Sequence, residues 1–221
     1  MKRNPQAGVQ RTLGARLQVF SDADLDDIHR ATLEVLERTG VFVESEEALD
    51  VMADGGCRVD RETKTVKIPP YIVEDVIRWS PKSIRLCGRT PENDVLLEGG
   101  RVGFTNFSAG IMVLDPRTDE HRQSTAQDVA DLARMTDYLS EIDTYEHSVE
   151  SRDASQDTLA VRDAAIGLSN TTKCCGTGAL SMDDVDAIVR MGAAIAGGVD
   201  KLRERPLVYF CECPVSPLKI T

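Results

Sequence analysis

The sequence predicts an α/β protein in which a small α+β region precedes a run of β/α units on a parallel sheet. Three observations predict it. From about residue 101, strand-like segments alternate with amphipathic helical ones. Residues 21–100 instead mix helices with a short alternating hairpin. The composition, 41% hydrophobic and 29% charged, is that of a globular chain able to bury a core.

Residues 1–20 form a polar, Gly- and Arg-containing tail, expected to be loosely ordered. The first helix starts at Ser21 as N-cap, with Asp22 and Asp24 at the positive end of the dipole, and Gly40 ends it. A second, short helix begins at Ser45 and stops at Gly55-Gly56. Residues 57–68 alternate as a hairpin does. Pro69-Pro70 open a third helix that Ser80-Pro81 end. Strand-like segments follow at 83–87, 95–97, 102–104 and 111–114. Residues 21–100 read as the α+β cap, and 101–221 as the first β/α units.

In the second region Thr125 and Asp128 open a helix over 125–139 close to a capping box. Strand 142–147, helix 155–168, strand 172–179, helix 182–196 and strand 207–212 complete the alternation. This order predicts parallel strands with right-handed crossovers. Only three or four β/α units fit after residue 100, whereas a closed (β/α)8 barrel needs roughly 200–250 residues. The strand at 207–211 would remain an apolar edge, so the sequence reads as truncated.

Composition excludes several classes of function. A net charge of −11 opposes binding to phosphate backbones, so no nucleic-acid partner is expected. No run approaches the roughly 20 apolar residues that span a bilayer, and the basic N-terminal tail has no apolar core of a signal peptide. A cytoplasmic protein without a membrane partner is therefore expected. Its six cysteines are expected to be mostly free thiols. They contain no CxxC pair, so no metal site of the zinc-ribbon type is indicated.

No dinucleotide fingerprint, P-loop or HExxH motif is present. Candidate substrate-binding residues therefore come from strand ends, where the loops of β/α proteins build their sites. Glu146 and His147 end the strand IDTYEH, Asn106 and Ser108 follow the strand near residue 104, and Glu146, His147 and Asn106 are expected to line one pocket. Glu212 ends the last strand. Glu146 and Glu212 could face a cationic substrate, with Tyr145, Tyr209 or Phe210 offering aromatic faces. Each has a plainer reading: a histidine satisfied by a carbonyl, a turn role for Asn106 and Ser108, core packing for the aromatics. His29 and His121 read as surface or packing residues, His121 on the loop before a helix. Gly176 and Gly178 in CCGTG fit a close approach at a strand end better than a phosphate loop. Cys174 and Cys175 must point to opposite faces. A zinc-thiolate site from Cys175, Cys211 and Cys213 is the less common alternative to buried thiols.

Several stretches resemble the trimethylamine methyltransferase family. They are IHRATLEVLERTGVFVESEEALDVMADGGCRVD, VKIPPYIVEDVIRWSP, LCGR, VLDPRTDEHRQSTAQDVADLARMTDYLSEID, SNTTKCCGTGA and GGVDKLRERPLVYFCECPVSPL. Together they cover nearly all of residues 20–218. The resemblance implies about the first half of a (β/α)8 TIM-type barrel, preceded by the cap. It also implies methyl transfer from a methylated amine, either trimethylamine or a quaternary amine such as glycine betaine. The acceptor is a corrinoid (cobalamin) carried by a partner protein, with no cofactor bound directly and self-association compatible. Trimethylamine-specific members carry a pyrrolysine in their later half, and glycine betaine members lack it. The alternatives are an inactive remnant or an α/β binding module without catalysis.

Overall fold

The computed structural model describes residues 19–99, 101–211 and 213–220. They form two compact units: residues 19–81 with 213–220, and residues 82–211. The architecture is mixed α/β with four small sheets, and the described strands do not close into a barrel. Among the described residues, no helix is long and apolar enough to cross a membrane.

The first unit opens with α1 (Asp22–Arg38), capped by a reciprocal Ser21–Asp24 capping box. Gly40 follows the helix at φ +79°, a conformation that costs a glycine nothing. Strand β1 (Val41–Val43) leads to α2 (Glu46–Asp54), capped by Ser45. Strands β2 (Arg58–Asp60) and β3 (Thr65–Lys67) form the expected hairpin, and α3 (Pro70–Trp79) starts on Pro70. Val41, Val43, Leu49 and Val66 make the core, with Leu36, Met52, Val59 and Ile68 packed around it. Each fully buried side chain contributes about 1.5–3 kcal/mol. A hydrogen bond of 2.7 Å between His29 Nε2 and Glu74 Oε1 ties α1 to α3.

The second unit begins with the antiparallel hairpin of β4 (Ser83–Leu86) and β5 (Val95–Glu98). A second hairpin joins β6 (Met112–Leu114) to β7 (His121–Gln123). His121 therefore lies in a strand rather than on a loop. The segment expected as a strand at 102–104 has instead only isolated parallel bridges, Thr105 to Thr144 and Gly110 to Val149. Helix α4 (Ala126–Tyr138) carries the Thr125–Asp128 capping box. Then β8 (Tyr145–Glu146), α5 (Leu159–Asn170), β9 (Cys175–Thr177), α6 (Met182–Ala196), α7 (Val199–Glu204) and β10 (Val208–Phe210) alternate. The last strand, β11 (Lys219–Ile220), belongs to the first unit and lies parallel to β1.

Strands β8, β9 and β10 form one parallel sheet in sequence order. Tyr145 stands beside Cys175, which stands beside Val208. One residue on, Glu146, Gly176 and Tyr209 form the next row. Because strand side chains alternate, these two rows face opposite sides. Tyr145 and Cys175 pack with Ala133 of α4 and Leu168 of α5, so their face is the helix-covered one. Ala160, Asp163, Ala164, Gly167 and Leu168 form the buried stripe of α5, at helical spacing.

The ends of the strands opposite Glu146 are closed by the loop of the β4–β5 hairpin. Cys87 N donates to Pro206 O at 3.1 Å and Arg89 N to Thr172 O at 2.8 Å. Arg205 holds Asp94 through two nitrogens, at 2.6 and 2.9 Å. Lys173 is buried there, and its Nζ donates to the carbonyls of Thr136, Leu139 and Ile142. A cation at these carbonyls, the last of α4 among them, satisfies acceptors that the helix itself cannot.

Candidate functional site

The face of the parallel sheet turned away from the helices carries the Glu146–Gly176–Tyr209 row near its C-terminal end. Glu146 is buried and Tyr209 half-buried. Gly176 sits between them on the middle strand. A Cβ built on Gly176 would meet the Glu146 carboxylate and lie 2.5 Å from Tyr209 Cζ. The missing side chain thus leaves the space in which the two neighbours come together. Tyr209's phenol is pushed up, first by burial and then by the Glu146 carboxylate beside it, which favours the neutral phenol.

Asn106 closes the row from the side. Its Oδ1 accepts from Glu146 N at 2.9 Å and its Nδ2 donates to Glu146 O at 2.8 Å. The same Nδ2 reaches Ser148 Oγ at 2.7 Å. Ser108 is exposed on the loop beyond. Glu212 lies outside the described residues.

His147 takes the opposite direction. Its Nε2 stands 3.1 Å from Asp163 Oδ2, on the helix-covered side where Gly167, one turn further along α5, meets Tyr145. Asp163 is buried and accepts also from Ser151 N at 2.9 Å and from Ser151 Oγ. Arg162 Nε lies 3.5 Å from it. Burial opposes the charged carboxylate, but the hydrogen bonds from His147 and Ser151 outweigh it and hold Asp163 below the usual carboxylate range. The structure therefore brings Asn106 and Glu146 together and sends the His147 ring to the other face.

Sequence reasoning passed over Asp163. Its one signal is an acidic residue inside the apolar stripe of α5, where a charge needs partners.

Cys175 is buried against the helices, with its thiol pushed up by burial and by Cys174. Cys174 faces the other way, and burial pushes its thiol up to about 12. Cys211 and Cys213 are both exposed. Among the described residues, no group of three or more His, Cys, Asp or Glu is placed to hold a metal ion.

A neutral donor beside a buried carboxylate, with an aromatic ring at its edge, can hold an organic cation. The family model described as trimethylamine methyltransferase (MTTB) matches residues 2–221. Trimethylamine methyltransferase MttB of Desulfitobacterium hafniense is 46% identical over 97% of this chain and 43% of its own length. Its counterpart from Methanosarcina thermophila is 33% identical over 100% of this chain and 47% of its own. The glycine betaine methyltransferase of Desulfitobacterium hafniense is 24% identical over 92% of this chain and 42% of its own. The chain thus spans a little under half the length of the curated relatives it matches.

Proposed function

Because the chain belongs to the trimethylamine methyltransferase family, we propose that it supplies the amine-binding, N-terminal part of a methyltransferase. The reaction moves a methyl group from a methylated amine, trimethylamine or a quaternary amine of the glycine betaine kind, to a corrinoid on a partner protein. The observation that carries this reading is the buried Glu146 carboxylate opposed to Tyr209 across Gly176.

The sheet order supports a half-barrel frame for the site. The stretch bridged at Thr105, then β8, β9 and β10, are neighbours in sequence order and parallel, as successive barrel strands are. The site lies at their C-terminal end, where barrel enzymes place their chemistry.

An onium substrate brings a positive charge and an apolar methyl shell. Glu146 supplies the counter-charge, and the Tyr209 ring supplies a face that attracts a cation without hydrating it. A quaternary nitrogen is already an activated leaving group, so the task of these side chains is to hold and aim one methyl outward. When bound, the corrinoid supplies reduced cobalt as the methyl acceptor. The residues here fit a corrinoid held by the partner, since the imidazole at this strand end, His147, is turned to Asp163.

The test is calorimetric titration with tetramethylammonium chloride, against a sodium chloride blank, of the wild type and of Glu146→Gln. The reading expects saturable binding that falls at least tenfold in the variant. Wild-type binding that Glu146→Gln leaves intact would overturn it. Addition of free reduced cobalamin and trimethylamine then separates two outcomes: methyl transfer by this chain, or amine binding without catalysis.

A further inference from the structure

Between residues 104 and 110 the chain runs along β8 with a constant offset, 105 beside 144 and 110 beside 149. Its backbone makes the ladder at both ends. Asp143 N donates to Phe104 O at 2.7 Å, and Ala109 N donates to His147 O at 2.8 Å. At Glu146 the partner is instead a side chain. The Asn106 carboxamide bonds both the N–H and the C=O of Glu146, at 2.9 and 2.8 Å. A primary amide presents one acceptor and two donors, so it can stand in for the peptide group of a neighbouring strand. The two Glu146 groups also fix which end of the amide is oxygen, because only that orientation satisfies both.

The location of this substitution bears on what it does. The row set by β8, β9 and β10 demands that Glu146, Gly176 and Tyr209 stay level. On the β9 side, Glu146 is held by the sheet. On the other side it has the Asn106 amide, and Ser148 Oγ accepts from the same Nδ2 at 2.7 Å. A shift of the strand end by one residue would turn the carboxylate to the helix-covered face, since alternate residues face opposite ways.

We infer that Asn106 is the positioning residue of the amine site: its carboxamide, acting as a surrogate strand, locks the Glu146 backbone so that the carboxylate meets Tyr209 over Gly176. Asn106 touches the substrate only through Glu146. The inference rests on the amine-binding reading for its consequence, but its geometry can be tested without any ligand.

The experiment uses the whole chain with 13C-labelled tyrosine rings, the Tyr209 signal being assigned with Tyr209→Phe. Asn106→Ala is expected to move the Tyr209 ring resonance, because the carboxylate that lies beside that ring over Gly176 is released. Asp137→Ala is the structural control. Asp137 binds Thr171 and Thr172 at the far end of the sheet, so its loss lowers the melting temperature while leaving the Tyr209 signal in place. In calorimetry with tetramethylammonium, Asn106→Ala is expected to lose at least fivefold in affinity and Asp137→Ala to match the wild type. If Asn106→Ala does not fold, Asn106→Asp decides, since it keeps the acceptor for Glu146 N–H and removes the donor to its carbonyl. A Tyr209 resonance unchanged in the Asn106 variant overturns the positioning role. A shifted resonance together with wild-type binding that is absent or indifferent to Glu146→Gln leaves the positioning role standing and sinks the amine reading instead.

Discussion

Glu146 and Tyr209, on strands separated by a third, meet because the residue between them, Gly176, has no side chain. The prediction is direct. Gly176→Ala places a methyl group 2.5 Å from Tyr209 Cζ and against the Glu146 carboxylate, with the Cys175 backbone held by Leu207 O at 2.9 Å. Overpacking of this kind costs about 1–3 kcal/mol, measurable by urea denaturation. Tetramethylammonium affinity should fall along with the stability. Retained affinity would place the amine elsewhere.

Asp163 is the hub of the helix-covered side. Asp163→Ala strips partners from His147 and from the Ser151 N–H and hydroxyl at once. Leaving buried donors unpaired costs roughly 1–3 kcal/mol each at most, so a loss of about 3 kcal/mol by chemical denaturation is expected. In the native protein this carboxyl is held below its unfolded value of 3.8. Its contribution is therefore fully present above about pH 3.8 and lost as the pH falls below that value. The variant should show a shallower decline of stability through that acid window.

Lys173→Met keeps the apolar stem and removes the ammonium. The carbonyls of Thr136, Leu139 and Ile142 then lose a shared donor in a buried place. A cost of about 3 kcal/mol is expected, with early hydrogen exchange at the end of α4. A variant as stable as the wild type would mean that water reaches these carbonyls.

Arg122 joins the β6–β7 hairpin to the start of α4. Its guanidinium bonds Asp115 at 2.9 Å and both oxygens of Asp128 at 2.7 and 2.8 Å. This fork, ahead of the bonds from Thr125, holds the Asp128 carboxyl down to about 2. Its contribution is fully present above about pH 3.8 and is lost progressively as the pH falls from there to about 2. In Arg122→Ala the Asp128 carboxyl should titrate higher, because only the bonds from Thr125 then oppose the effect of burial. Carboxyl carbon shifts followed by NMR across pH 2–5 would read the change.

What the sequence showed was mostly local. Ser21, Ser45 and Thr125 cap helices in the structure as their spacing predicts, because a cap is decided within four residues. Strands β1, β7 and β11 went unseen, as did α7. A strand of two or three residues shows no alternation, and β11 is defined by pairing Phe42 with Lys219, far apart in the chain. At the site, the glycines of CCGTG announced the close approach of a substrate or helix, but at Gly176 the neighbours are the side chains of Glu146 and Tyr209, and Gly178 has none within 4 Å. That Glu146 and His147 take opposite faces was implicit in their adjacency on one strand. Asn106 as a backbone partner was not legible, since the role depends on a register that only the folded sheet reveals.

The loop between β4 and β5 closes off the strand ends away from Glu146, through Arg89, Asp94 and Arg205. Chemistry and attachment are thereby assigned to opposite poles of the sheet. An engineer wanting to tether this protein to a bead, or to attach a dye at the exposed Pro91 or Glu92, has a surface there that leaves the Glu146 end of the sheet unobstructed.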